Sequence, residues 1–169
     1  IHFLWHAATL DGQSKLAIEA ARKTASKVDD AMLSEMPITA LFRVTPYWAL
    51  ARFGHWQEIL QEPAPPASNA FLTGSWHYVR GLAWVATHQT KQAEQELAKL
   101  RNFLNQLSKN DRVISMNSAS NILHIASEVL AGEIAAAKNQ FDQAILHLDK
   151  AVRLDDALLY TEPPEFHFP

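Results

Sequence analysis

The sequence predicts an all-α fold. Apolar residues recur at spacings of three and four in every quarter of the chain, as in KLAIEAARKTA, AEQELAKLRNFLNQL and ILHIASEVLAGEIAAA, the period of a helix with one buried face. No alternation of apolar and polar residues runs long enough for a strand. Five Gly in 169 residues are too few for the tight turns of a many-stranded sheet. With 48% hydrophobic residues the chain can close one sizeable domain, or an array of small units sharing a continuous core.

Pro and Gly set the order of the elements. Asp11 and Gly12 separate a first helix, IHFLWHAATL, from a second, SKLAIEAARKTASKV. Pro37 precedes ITALFRVTPYWALARF, in which Pro46 lacks a backbone donor and must kink or start a helix. Gly54 divides that segment from the short helix HWQEILQ, and EPAPPASN reads as a rigid, extended connector. Beyond it, residues 73 to 88 and 91 to 108 form a third pair of helices around THQT. Residues 115 to 138 and 141 to 157 form a fourth around KNQ, its first member being one helix or two. The chain begins IHFLWH without Met and stops at EFHFP, and reads as a piece of a longer polypeptide.

Charge and composition exclude several functions. A formal net charge of −3 and a pI near 6.2, with Lys and Arg dispersed, give no electrostatic footprint for nucleic acid. Without Cys there is no disulfide, thiolate metal site or cysteine nucleophile, and no indication of compartment. No apolar run approaches the about 18 residues of a spanning helix, and no basic-then-apolar signal segment is present, so no membrane partner is expected.

Small residues recur at fixed places in the helix pairs. In the last pair Gly132, Ala144 and Ala151 interrupt otherwise bulky faces, with Phe141 and Leu148 between them. Gly81, Ala93, Leu97 and Leu100 hold the corresponding places in the third pair. The pattern resembles a tetratricopeptide repeat, a helix–turn–helix unit of about 34 residues. In that frame Gly132 takes position 8, Phe141 17, Ala144 20, Leu148 24 and Ala151 27. Ala17, Ile59 and Ala93 take position 20 of the earlier units, and Gly12 and Gly54 the turn. The resemblance implies an α-solenoid, a right-handed superhelix of about four irregular units, at about 1–31, 40–63, 74–107 and 125–158. Residues 159–169 then form an extended tail leading to a further repeat. The segments HFLWHAATLDG, RFGHWQEILQEPAPP and LLYTEPPEFHFP are similar to parts of bacterial tetratricopeptide proteins of undefined function. Departures are the position-20 spacings of 42, 34 and 51, Glu128 where Trp is usual, Asp156 where Pro is usual, and the short second unit. The small residues are then expected where helices cross within about 8 to 10 Å.

Few residues suggest chemistry. His2 and His6, four apart on a helix, have the spacing of two metal ligands, but no Glu follows His2 as a metalloprotease motif requires. Half-buried or groove-facing histidines are the preferred reading, and a helical metal protein or hydrolase the alternative. His124 and Glu128 share that spacing in the last unit, which a solenoid keeps apart from the first. Glu162 and Glu165 flank Pro163 and Pro164 in a solvated tail. Ser14, Ser75, Ser118 and Ser120 stand near expected helix starts and read as caps rather than nucleophiles. No glycine-rich phosphate loop occurs, so neither a catalytic residue nor a cofactor is expected. Trp5, Trp56, Trp76, Trp84 and Phe103 read as core.

The resemblance implies a ligand groove on the concave face, lined by A-helix positions 5, 9 and 13. Here these are His2, His6, Trp48, Arg52, Tyr78 and Glu133, the alternative being that Trp48 packs against Tyr78 as a structural pair and no ligand uses the face. A familiar subclass grips the C-terminal carboxylate of chaperones with Lys and Asn at positions 5 and 9. His2 and His6, with Trp48, Tyr78 and Leu82, replace that clamp. The expected function is a non-enzymatic scaffold holding a peptide or protein segment. Apolar side chains at the two ends, namely Phe3, Leu4 and Trp5, and Tyr160, Phe166 and Phe168, are expected to drive self-association or to be covered by the tail.

Overall fold

Four interhelix turns are built the same way in the computed structural model, which describes residues 2–107 and 116–160. Each is three residues long, and its middle residue adopts the left-handed conformation: Gly12, Gly54, His88 and Asn139, with φ of 74°, 69°, 60° and 59°. The N–H of the next residue reaches back to the carbonyl five residues earlier: Gln13 to Ala8, His55 to Leu50, Gln89 to Trp84 and Gln140 to Ala135, at 2.8–2.9 Å. The left-handed residue itself donates to the carbonyl three before it, Thr9, Ala51, Val85 or Ala136. These two bonds satisfy carbonyls that a helix end leaves open. The residue after the left-handed one then accepts the first bond of the following helix, from Ala17, Ile59, Ala93 and Ala144. All four of these side chains are buried.

The helices so joined are α1 (His2–Leu10) with α2 (Ser14–Ala25), and α5 (Thr45–Arg52) with α6 (Trp56–Gln61). The other two hairpins are α7 (Ala70–Ala86) with α8 (Thr90–Gln106), and α9 (Ala119–Ala137) with α10 (Phe141–Asp156). Between the first two hairpins lie α3 (Asp30–Glu35), a 3-10 turn at Pro37–Thr39 and α4 (Ala40–Arg43). No strand occurs among the described residues. Within each hairpin the two helices pack on each other, and both then pack on the first helix of the next: α1 and α2 on α5, α5 and α6 on α7, α7 and α8 on α9.

The segment at residues 38–53 is broken at Pro46, where a kink or a helix start was expected, and α3 was not expected from the sequence. Pro46 cannot donate to the Phe42 carbonyl, so α4 stops and α5 begins again at Thr45. The Thr45 hydroxyl lies 2.9 Å from that carbonyl and 3.1 Å from the Ala21 carbonyl of α2, filling the gap and tying two hairpins together. Asp29 caps α3 by accepting from the Met32 N–H at 2.8 Å. Residues 62–69 form the expected connector, and Asn69 caps α7 through the Leu72 N–H at 3.0 Å. Residues 119–137 form one helix, capped by Ser118. Of the other three serines, Ser14 and Ser120 make no cap bond, and Ser75 lies buried inside α7, which starts earlier than expected.

Close approach explains the small residues. A methyl on Gly74 would stand 2.7 Å from Leu123, and one on Gly81 would run into Leu130, so α7 lies against α9 along two glycines facing two leucines. Gly132 plays another part. Its methyl would meet Leu148 at 2.8 Å and the Ala144 carbonyl at 3.4 Å, both on its own partner helix. Position 8 of the frame therefore faces the next hairpin in one unit and its own hairpin in another. Leu50, Leu72, Leu100, Ile122, Leu123 and Leu130 supply the fully buried aliphatic core.

Candidate functional site

The residues expected to line a groove sit on the first helices of successive hairpins, but two of them are core. Trp48 on α5 is 2% exposed and Tyr78 on α7 is 0% exposed. Their rings meet edge to face, 6.0 Å between centroids. Burial, and then the charge of Glu133 on α9, push the Tyr78 hydroxyl well above its ordinary pKa. Trp48, Tyr78 and Glu133 thus follow one another along the first helices, yet the two rings are enclosed by packing and offer a ligand no surface. That corrects the expectation of aromatic anchors. Arg52 is exposed and Glu133 half-buried.

His2 and His6 are both half-buried. The Nδ1 of His2 accepts from Trp5 Nε1 at 3.0 Å, and its ring stands edge-on to Phe42 at 4.9 Å. Burial, followed by the neighbouring His6, lowers the His2 pKa. His124 is exposed, whereas Glu128 is buried and held by α10. Among the described residues no three His, Asp or Glu gather as metal ligands. None of the described helices is long and apolar enough to cross a membrane. Trp5 is buried, Trp56, Trp76 and Trp84 are half-buried against the core, and Phe103 is half-buried with its ring 5.7 Å from that of His77. Glu162, Glu165, Phe166 and Phe168 lie outside the described residues.

Two buried polar centres were missed by the sequence reading. In the third hairpin, Glu96 of α8 lies 2.5 Å from His77 Nδ1 and 3.6 Å from Arg80 Nε, both on α7, and 3.4 Å from Lys99 Nζ. Arg80 stacks 4.5 Å above the Trp76 ring and donates to the Leu60 carbonyl at 2.9 Å, while Trp76 Nε1 donates to the Glu62 carbonyl at 3.1 Å. The centre thereby clamps the end of α6 onto α7. In the fourth hairpin, Glu128 of α9 lies 2.7 Å from both His147 Nδ1 and Lys150 Nζ of α10. Burial raises the pKa of each glutamate, but the His77 bond to Glu96, and the Lys150 and His147 bonds to Glu128, outweigh it. Both carboxyls titrate below the usual range. The available signal was the shared separation of nineteen residues, His77 to Glu96 and Glu128 to His147, with a Lys three residues further on.

An open cleft of about 580 Å³ lies where α8, α9 and α10 meet. Ala131, Ile134 and Ala135 of α9 give it an apolar floor. Arg101, Asn102, Gln143 and His147 stand among its lining residues as hydrogen-bonding groups. Arg101 donates to Ser127 at 3.3 Å from the exposed side of α8. The chain matches no family model, no curated protein and no solved structure.

Proposed function

We propose that the chain is an interaction scaffold: an irregular α-solenoid of about four tetratricopeptide-like hairpins, wound right-handed, that holds a peptide or protein segment. The observation that carries this reading is the fourfold recurrence of one turn, each time followed after five residues by a buried small or apolar side chain. The turns fall at residues 12, 54, 88 and 139, the same intervals at which the repeat frame places Ala17, Ile59, Ala93 and Ala144. Each hairpin also packs on the first helix of its successor, as stacked units must to bury their faces.

The segment lies in the α8–α9–α10 cleft, because the face carrying Trp48 and Tyr78 is filled by its own rings. A short extended peptide suits it: an aliphatic side chain on the alanine-lined floor, with backbone and a carboxylate met by Asn102, Gln143 and Arg101. Selection of displayed random peptides on the folded chain tests this. Enriched peptides are expected to lose about tenfold in affinity on Arg101→Ala, Gln143→Ala substitution, roughly 1.4 kcal/mol, and to be indifferent to Arg52→Ala. Peptides that depend on Arg52 and Glu133 instead would return the site to the other face. No enrichment above background would remove the scaffold reading.

The stacked-unit architecture has its own test. A chain cut after Asn110 is expected to keep helical circular dichroism, with a lower and broader melting transition, because its hairpins bury one another without the fourth. A fully unfolded product would favour a mutually dependent globular core.

A further inference from the structure

We propose that a second cleft, enclosed by α2, α4, α5 and the proline connector, is a small-molecule site, and that its ligand is a monocarboxylate with an apolar body, such as a small aromatic acid. The site lies apart from the α8–α9–α10 cleft and does not depend on the peptide reading given to that one. All of its lining falls between residues 22 and 66, where the first two hairpins meet inside the chain. Its volume of about 340 Å³ is at the small end of the range for ligand pockets.

A buried hydroxyl there has nothing to bond. Tyr47 lines the cleft and is only 9% exposed, yet its hydroxyl makes no hydrogen bond among the described residues. A phenol taken out of water normally finds a partner, because giving up the bonds that water made costs free energy. Burial first, and then the charge of Glu62, push its pKa up to about 12, against the opposing pull of Arg43. The hydroxyl therefore keeps its proton at neutral pH and stands as a donor in the field of both groups.

Charge in the cleft is unbalanced as well. Its lining holds two guanidiniums and one carboxylate, those of Arg22, Arg43 and Glu62. Arg22 is neutralised, with Glu62 at 2.7 Å and Glu58 at 3.5 Å. Arg43 is not. Its hydrogen bond goes to the neutral Val28 carbonyl, and the acid it meets, Asp30, is 4.0 Å away with a side chain 73% exposed. One positive charge thus remains largely uncompensated on a side chain already held in place, four residues before Tyr47. A carboxylate can take the Arg43 fork and the Tyr47 hydroxyl together, adding one negative charge where one is lacking. A phosphate dianion would bring a second charge beside Glu62.

The walls select the rest of the ligand. Pro46, Pro63, Pro65 and Pro66, with Ala25 and Ala64, give the cleft apolar sides. Proline and alanine lose no side-chain entropy on contact, so an apolar body is buried against them at little cost. An aromatic ring suits such walls, since its electron-rich face meets proline C–H groups.

Titration of benzoate into the isotope-labelled 169-residue chain, followed by NMR, tests the proposal. Saturable shifts at millimolar benzoate are expected at Tyr47, Ala25 and Ala64. Benzamide, which lacks the charge, and inorganic phosphate, which lacks the apolar body, are each expected to bind about tenfold more weakly. Tyr47→Phe removes only the unbonded hydroxyl, so circular dichroism should be unchanged while benzoate affinity falls about tenfold. Arg43→Gln is expected to lose benzoate binding with its helical signal intact, and Arg101→Ala, in the other cleft, to bind as wild type does. Absence of saturable shifts overturns the proposal, as does a Tyr47→Phe or Arg43→Gln variant with wild-type affinity. Benzamide or phosphate bound as tightly as benzoate overturns the monocarboxylate assignment. Sensitivity to Arg101→Ala also overturns it, by moving the ligand to the α8–α9–α10 cleft.

Discussion

The hairpins α7–α8 and α9–α10 hold the same polar centre with its two halves exchanged. In the first the histidine is on the leading helix and the glutamate on the second; in the other the order is reversed. The crossing holds one acid and one base in both hairpins, and either helix supplies either. The surroundings differ more. Glu96 and His77 have side chains only 6% and 9% exposed and are joined by Arg80, whereas His147 is 33% exposed and Lys150 62%. Among the described residues the third hairpin packs on helices on both sides, and the fourth on one. Burial by position, more than the identity of the pair, should set what each centre contributes.

The largest effect is therefore expected from removing the enclosed acid. Glu96→Gln leaves buried His77 and half-buried Arg80 beside a neutral group and should cost about 3 kcal/mol, while Glu128→Gln, with partners that reach water, should cost about 1 kcal/mol. Urea unfolding of the two variants measures this, and equal losses would break the comparison. Both carboxyls are held below their ordinary range in the folded chain. Their contribution is thus complete above the unfolded value of about 4.3, and it is lost as pH falls through the folded pKa. Stability should decline on that acid limb, and the decline should be shallower in Glu96→Gln than in wild type.

The glycines sharpen the contrast. Gly81→Ala drives a methyl into Leu130, which is fully buried and has nowhere to go, so a loss of about 1–2 kcal/mol is expected. Gly132→Ala meets Leu148, which is half-buried and can swing toward solvent. There the gain in helix propensity, about 1 kcal/mol, should leave the thermal midpoint nearly unchanged. The smallest effects concern the turns. His88→Gly should raise stability by about 1 kcal/mol by relieving the left-handed conformation, and Asn139→Gly by less, because asparagine already tolerates it. Thermal melts that show no gain for either variant would mean that these turns carry little strain.

The sequence by itself determined the helices and their punctuation. Periodicity and Gly or Pro placed most boundaries, because a helix with one buried face writes its period into the chain. Turns at Gly12 and Gly54 were legible from glycine; those at His88 and Asn139 were placed by the polar breaks THQT and KNQ, but their left-handed backbone was not legible, since neither residue demands it. Tertiary structure alone decided which faces are closed. Trp48 and Tyr78 hold places that a groove would use, yet the neighbouring first helices come near enough for the rings to meet and leave the surface. It likewise decided that His77 finds Glu96 and Glu128 finds His147. Periodicity fixes which side of a helix is apolar, but not which other helix, if any, arrives to cover it.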